Sequence, residues 1–167
     1  MTRWGVGPRW TLVSIFFAAP ALAARAEWPA LFSIPLAPRP LVVGIGVALL
    51  AIGLPFFGAA AHTLHRGFKD GELFTSGPYG LCRHPIYGSW IAFNVPGLML
   101  LADTWIGLLA PLPMYAALRV MVRAEETWLE GKFGERYRAY RARVPAVCPV
   151  IGLCRLQLAR GAPREVG

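Results

Sequence analysis

Residues 41–64 read LVVGIGVALLAIGLPFFGAAAHTL, a run without a single charged side chain. As a helix it rises about 36 Å, enough to cross a hydrocarbon core of ~30 Å. Three further apolar runs accompany it, at residues 10–24 (WTLVSIFFAAPALAA), 87–102 and 104–122. Little more than Asp103 separates the last two, so a tight turn and an antiparallel helical hairpin are expected there. Pro96 in the third run, and Pro111 with Pro113 in the fourth, are expected to kink their helices, while neighbouring helices re-satisfy the freed carbonyls. The third run is short for a span and borrows a turn from Pro85 and Ile86. Proline suits a first helical position because its missing N–H costs nothing there.

Composition points the same way. Only 16% of the 167 residues are charged and mean hydropathy is +0.48, whereas a soluble domain carries about 25% charged residues. The chain lacks the polar groups to wet an ordinary surface, which excludes intrinsic disorder and a soluble enzyme. Its glycines and prolines show no fixed period, so neither a fibre nor a solenoid is implied. The net charge is +8, but ten of the seventeen basic residues lie from Arg119 onward, behind the last apolar run. That placement indicates membrane topology and contact with anionic lipid rather than nucleic acid.

With the amino terminus in the cytoplasm, fifteen of the seventeen basic residues fall in cytoplasmic segments, leaving only Arg25 and Arg39 outside. The expected fold is therefore an all-α integral membrane protein of about four transmembrane helices, with a central hairpin and both termini cytoplasmic. A second reading of residues 1–26 is a cleavable signal peptide, given the basic start, the apolar stretch and the small residues Ala21, Ala23, Ala24 and Ala26. Cys82, Cys148 and Cys154 form no CxxC pair and fall on the cytoplasmic side, where reduced thiols are expected.

After Arg123 the character changes. Residues 124–145, AEETWLEGKFGERYRAYRARVP, place Leu129, Phe133, Tyr137, Tyr140 and Val144 on one helical stripe, with basic residues over the remainder. A cytoplasmic amphipathic helix is expected, broken near Gly131 and Gly134 and ended by Pro145, capping the bundle or lying on the membrane. Tyr137 and Tyr140 read as packing residues. Residues 62–85, HTLHRGFKDGELFTSGPYGLCRHP, read as a turn-rich loop ending at a helix start whose unused N–H groups suit an acceptor. His62, His65 and His84 lack a cysteine or carboxylate to complete a metal site, so no metal is expected. Asn94, polar within an apolar run, reads as a contact between helices.

Two blocks carry the chemistry: GPYGLCRHPIYGSW at residues 77–90 and EETWLEGKFGERYRAYRARVP at 125–145, in that order around the hairpin. In this the chain resembles the isoprenylcysteine carboxyl methyltransferase and phospholipid methyltransferase superfamily. The resemblance covers roughly residues 41–149. It divides a single domain, 1–167, into an N-terminal helix and outer loop (1–40), a family core (41–149) and a cytoplasmic tail (150–167). It implies a membrane methyltransferase dependent on S-adenosyl-L-methionine, with a cofactor pocket at the cytoplasmic face between the RHP loop and the C-terminal helix.

The residues carried over for cofactor binding are Tyr79, His84, Pro85 and Tyr87 from the first block and Glu125 and Glu126 from the second. Carboxylates suit the ammonium and ribose hydroxyls of such a cofactor, and a tyrosine suits its adenine or its cation. Arg123 and Glu126 are assigned as the catalytic pair, with Arg123, or Arg119 one turn away, facing an anionic acceptor. Methyl transfer is an in-line displacement, so the protein supplies alignment and exclusion of water.

The implied acceptor is lipidic or a small apolar molecule that partitions into the membrane. It presents a carboxylate, amine or thiol and arrives sideways between helices. Richness in Ala, Arg and Gly indicates a GC-rich bacterial genome and an inner-membrane location, where a literal isoprenylcysteine is not expected. The chain departs from the family pattern at Gly88 and Ser89 after Tyr87, and at R-V-P-A (residues 143–146) in place of R-V-P-R. The alternatives are an NADPH-dependent membrane reductase of the sterol-reductase type and a non-catalytic membrane component.

Overall fold

The computed structural model describes residues 7–35, 37–70 and 73–147, and all regular structure among them is helical. The helices are α1 (Gly7–Glu27), α2 (Pro29–Phe32), α3 (Arg39–Asp70), α4 (Pro78–Leu81) and α5 (Pro85–Ser89). A wide π turn, Trp90–Asn94, joins α5 to α6 (Val95–Leu101); a 3-10 turn, Ile106–Leu109, then leads to α7 (Pro111–Phe133) and α8 (Glu135–Arg143). Cys148, Cys154 and the tail at 150–167 lie outside the described residues, so the expectations placed on them are not addressed by the fold.

The chain runs up and down. α3 packs along α5, the π turn and α6, while α1 packs on α7. A buried cluster of Trp10, Val95, Met99, Ala110, Met114, Leu118, Val122 and Val147 binds these layers together. α3 and α6 meet at two glycines: a Cβ on Gly97 would stand 3.0 Å from the Gly46 carbonyl oxygen and 2.9 Å from Leu50 Cγ. Small residues permit such close backbone approach, which in lipid replaces the hydrophobic drive that water would supply.

Two described helices are long and apolar enough to cross a membrane, Arg39–Arg66 with mean hydropathy 2.4 and Ile106–Phe133 with 1.3. Only 17% of the first span is covered by the rest of the protein. Leu41, Ile45, Val47, Ile52 and Leu54 stand exposed along it, an apolar surface suited to hydrocarbon. Of the four expected spans, the other two are weaker: Pro85–Leu101 is apolar but shorter, and α1 carries Arg9 and Arg25 near its ends.

Three element boundaries differ from the sequence expectation. α3 continues to Asp70, so the loop before the RHP block is shorter than read; no proline interrupts the helix there, and a lone Gly67 costs a long helix only about 1 kcal/mol. Pro111 and Pro113 do not kink the fourth helix; they lie in the first turn of α7, where an absent N–H leaves no bond unmade. The acidic and basic stretch after Arg123 is not a separate helix at its start. α7 runs through it to Phe133, since backbone hydrogen bonding is indifferent to the change from apolar to charged side chains, and the break falls at Gly134, whose φ of 54° suits glycine. Pro85 does open its helix, and the π turn ends at Asn94, two residues before Pro96, widening the backbone where that proline offers no N–H.

The hairpin turn is made at Asp103, which adopts φ 58°. It also gathers the two basic residues left outside by the charge count. Arg25 Nε donates to the Asp103 carbonyl at 3.0 Å and its Nη2 to Oδ2 at 3.2 Å. Arg39 Nη1 lies 3.4 Å from Oδ1, and its guanidinium also donates to the Leu100 and Leu101 carbonyls at the end of α6 at 3.0 and 2.6 Å. The Leu100 carbonyl also accepts from the Asp103 amide at 3.1 Å, so Arg39 adds a side-chain cap to the turn that ends the helix.

Partial burial opposes ionisation of Asp103, but the Ile34 amide, Arg25 and Arg39 together hold its carboxyl below the usual range. A group whose acidity rises on folding stabilises above its unfolded pKa, and the contribution fades as pH falls through the folded value. Asp103→Asn, which tolerates the positive φ, is therefore expected to melt several degrees below the parent at neutral pH. Thermal melts in detergent at stepped acidic pH should show that gap closing; a constant gap refutes the ionic role.

Candidate functional site

At the opposite end from Asp103, α7 brings its acidic doublet against the corner between α4 and α5. Glu126 is 7% exposed and His84 5%. A buried carboxylate needs partners, and here they converge from two segments. Arg83 Nε and Nη2 lie 3.0 and 2.6 Å from Glu126 Oε1, His84 Nε2 lies 3.3 Å from the same oxygen, and Arg141 Nε of α8 lies 3.8 Å from Oε2.

Arg83 goes further. Its Nη1 donates to the carbonyls of Arg141 and Val144, so one guanidinium ties the α4–α5 corner to both α7 and the end of α8. The main chain repeats the connection: the Arg83 amide donates to the Pro145 carbonyl at 2.8 Å and the His84 amide to the Ala146 carbonyl at 2.9 Å. The R-V-P-A segment docks through its backbone, an arrangement that does not depend on the side chain at position 146. The same bonds occupy the His84 N–H, one of the donors the sequence assigned to a ligand.

Glu125 is placed differently. Its Oε2 is buried with no hydrogen-bond partner, and its carboxylate lies within electrostatic reach of His84, Tyr79 and Tyr87. Tyr87 packs 6.0 Å from the His84 ring, centroid to centroid. The Tyr79 carbonyl accepts from the Tyr140 hydroxyl at 2.6 Å, anchoring α4 to α8. Burial, with the nearby Glu125 charge, pushes the Tyr79 phenol well above its ordinary pKa, so it stays a neutral hydroxyl. Burial likewise pushes Tyr137 up to about 12. Tyr137 and Tyr140 are buried, while Leu129, Phe133 and Val144 are half-buried on the same stripe.

Tyr79, His84, Pro85, Tyr87, Glu125 and Glu126 thus come together around one corner. Arg123 does not join them: it is exposed on α7, and its side chain takes part in none of the ion pairs among the described residues. Arg119 donates to the Tyr115 hydroxyl at 3.3 Å, also on the exposed face.

Two residues were missed by the sequence reading. Arg83 carried the only visible signal, as the basic residue preceding His84 in the first block. Trp10 gave none, since it lies in α1, 77 positions from the tyrosine it meets: the ring centroids of Trp10 and Tyr87 are 5.0 Å apart.

Residues 41–130 match the model of the isoprenylcysteine carboxyl methyltransferase (ICMT) family. Over 163 residues the chain is 32% identical to the cobalt-zinc-cadmium resistance protein CzcN of Cupriavidus metallidurans, covering 93% of this chain and 68% of that protein. Over 86 residues it is 34% identical to the protein-S-isoprenylcysteine O-methyltransferase of Mus musculus, covering 52% of this chain and 30% of the mouse enzyme. The nickel-cobalt-cadmium resistance protein NccN of Alcaligenes xylosoxydans xylosoxydans is 34% identical over 121 residues, 66% of this chain and 54% of that protein. The chain therefore spans about two thirds of the length of the first of these, half of the last and a third of the mouse enzyme. No solved structure matches. Among the described residues, no three His, Cys, Asp or Glu side chains gather where they could hold a metal ion.

Proposed function

The chain belongs to the isoprenylcysteine carboxyl methyltransferase family, and from that premise we propose that it is a membrane methyltransferase transferring a methyl group from S-adenosyl-L-methionine to a lipidic acceptor. The observation that carries the reading is the state of the two adjacent glutamates. Glu126 has Arg83 and His84 on Oε1 and faces Arg141 at 3.8 Å through Oε2, whereas Glu125 keeps a buried oxygen without a hydrogen-bond partner within electrostatic reach of two tyrosines. A buried acceptor left unmade costs about 1–3 kcal/mol, and such costs cluster at functional sites.

The donor set fits the cofactor. S-adenosyl-L-methionine supplies an electrophilic methyl on a cationic sulfur, together with ammonium and ribose hydroxyl donors for a carboxylate. Glu125 would accept those donors; Tyr79 and Tyr87 would present aromatic faces to the adenine or the cation. Glu126, fixed by Arg83, positions α7 against the α4–α5 corner and so sets where Glu125 stands. Tyr79, Tyr87 and Glu125 would hold the donor's methyl group in line with the acceptor and exclude water around it. Arg123, exposed three residues before Glu126 and apart from the corner, would meet an anionic acceptor group at the membrane edge.

In this reading α1 and Pro85–Leu101 span the bilayer beside the two longer helices. The site end faces the cytoplasm, and α8 caps the bundle there. The acceptor arrives laterally through apolar surface; its reacting atom is a carboxylate oxygen, an amine nitrogen or a thiolate sulfur. An anionic 2′-phosphate would meet the Glu125 charge unfavourably, which sets the NADPH-dependent alternative apart.

The test uses purified protein in detergent. S-adenosylhomocysteine should raise the melting temperature, and NADPH should not. Glu125→Gln should lose most of the S-adenosylhomocysteine shift, roughly a tenfold to hundredfold weakening, while melting near the parent without ligand. Full retention of the shift in that variant removes the proposed contact.

A further inference from the structure

Trp10 lies outside the matched family region, on a helix that the sequence also allowed to be read as a disposable leader. Yet it is 4% exposed, and its indole Nε1–H is buried without an acceptor. Tryptophan buried in a core normally finds a partner for that N–H. An orphaned buried donor costs free energy that a phenylalanine at the same place would not incur. The position is specific: the indole packs on Tyr87 at 5.0 Å with the rings tilted by 57°. It belongs to the same buried cluster as Val147, with Ala146 packed against it, and Ala146 is the residue whose carbonyl holds the His84 amide. The indole that carries a buried donor without an acceptor, Trp10 Nε1, packs on Tyr87, and the carboxylate that carries a buried acceptor without a donor, Glu125 Oε2, lies within electrostatic reach of the same tyrosine.

We propose that Trp10 is a ligand-binding residue of this site: α1 supplies an indole N–H that donates to an acceptor atom of the bound adenosyl methyl donor, and an indole face that fixes Tyr87. The proposal rests on the methyltransferase reading and extends it to a helix outside the matched region. Glu125 then serves donor groups of the ligand and Trp10 an acceptor group, so the two unsatisfied atoms recognise complementary parts of one molecule. α1 is on this view an integral wall of the site, retained in the working protein.

Trp10→Phe keeps an aromatic ring against Tyr87 and removes only the donor edge. Calorimetric titration of S-adenosylhomocysteine in detergent should show roughly tenfold weaker binding to this variant than to the parent, the size of one lost hydrogen bond. Its ligand-free melting temperature should stay near the parent's, so that the weakened binding reports a lost contact with the ligand and not a disturbed fold. Equal affinity in parent and variant overturns the proposal while leaving the proposed function intact; absence of binding to the parent overturns both.

A second measurement needs no variant. Ultraviolet cross-linking of radiolabelled S-adenosyl-L-methionine to the parent protein should label the peptide containing Trp10 as well as those around Tyr79 and Tyr87. Label confined to residues 73–147, or an intact mass showing residues 1–26 removed from active protein, refutes the assignment.

Discussion

Replacing Arg83 by Met should lower the stability of the folded protein by about 3–5 kcal/mol, the cost of stranding a buried charge. The side chains of Arg83 and Glu126 are each only 10% exposed. Without the guanidinium, Glu126 keeps only His84 at 3.3 Å and an exposed Arg141 at 3.8 Å. The carbonyls of Arg141 and Val144 lose their donor in the same step. Lysine is not a conservative replacement, because one ammonium cannot reach the carboxylate and both carbonyls together; Arg83→Lys should fall between the parent and Arg83→Met. Removing both charges, in Arg83→Met with Glu126→Leu, should recover part of the loss, since an apolar pair of similar volume carries no desolvation cost. Thermal melts of the parent, Arg83→Met, Glu126→Leu and the double variant in one detergent form a double-mutant cycle. Arg83→Met melting with the parent would show that the cluster contributes nothing to the fold.

How much of this was legible in the sequence depends on the range of the interaction. The uninterrupted apolar run of α3, the turn at Asp103 and the proline opening α5 are local properties, and they stand where the sequence placed them. The meeting of the acidic doublet with the RHP corner was legible only through the resemblance, because 42 residues separate His84 from Glu126 and no periodicity spans such a distance. Within that meeting, the division of labour was not legible. Adjacent glutamates look equivalent in sequence, yet successive positions on a helix point about 100° apart, so Glu126 turns into the arginine cluster and Glu125 toward the tyrosines.

Charge counting placed Arg25 and Arg39 outside as exceptions to topology. It could not show that they share one aspartate and cap α6. The change of composition after Arg123 was taken for a boundary, but a helix ends where its backbone must, and α7 persists to the glycine at 134. Trp10 had no motif to mark it, since its role is set by which helix α1 packs against.

Gly53→Ala, a change of one methyl group on α3, should destabilise the protein by about 1–3 kcal/mol, the range for overpacking a filled interface. The added Cβ would stand 2.3 Å from Asn94 Oδ1, 2.6 Å from Phe93 Cβ and 3.0 Å from Asn94 Cγ. Phe93 Cβ is anchored to its backbone and cannot swing away, so the helices must separate. Two other glycines of α3 are internal controls, because a Cβ at Gly44 or Gly58 meets nothing within 4 Å. There the better helix propensity of alanine should leave stability unchanged or raise it by up to about 1 kcal/mol.

The clash also has a functional direction. Asn94 and Phe93 belong to the π turn that continues α5, and α5 carries Tyr87. Asn94 is fully buried with neither amide atom bonded, so no hydrogen bond resists its displacement and the strain passes along the helix. Gly53→Ala should therefore weaken S-adenosylhomocysteine binding as well as lower the melting temperature, whereas Gly44→Ala and Gly58→Ala should do neither. Melting curves and titrations on the three single variants decide it: Gly53→Ala indistinguishable from Gly44→Ala would mean that α3 and the π turn are not in the close contact on which the position of Tyr87 depends.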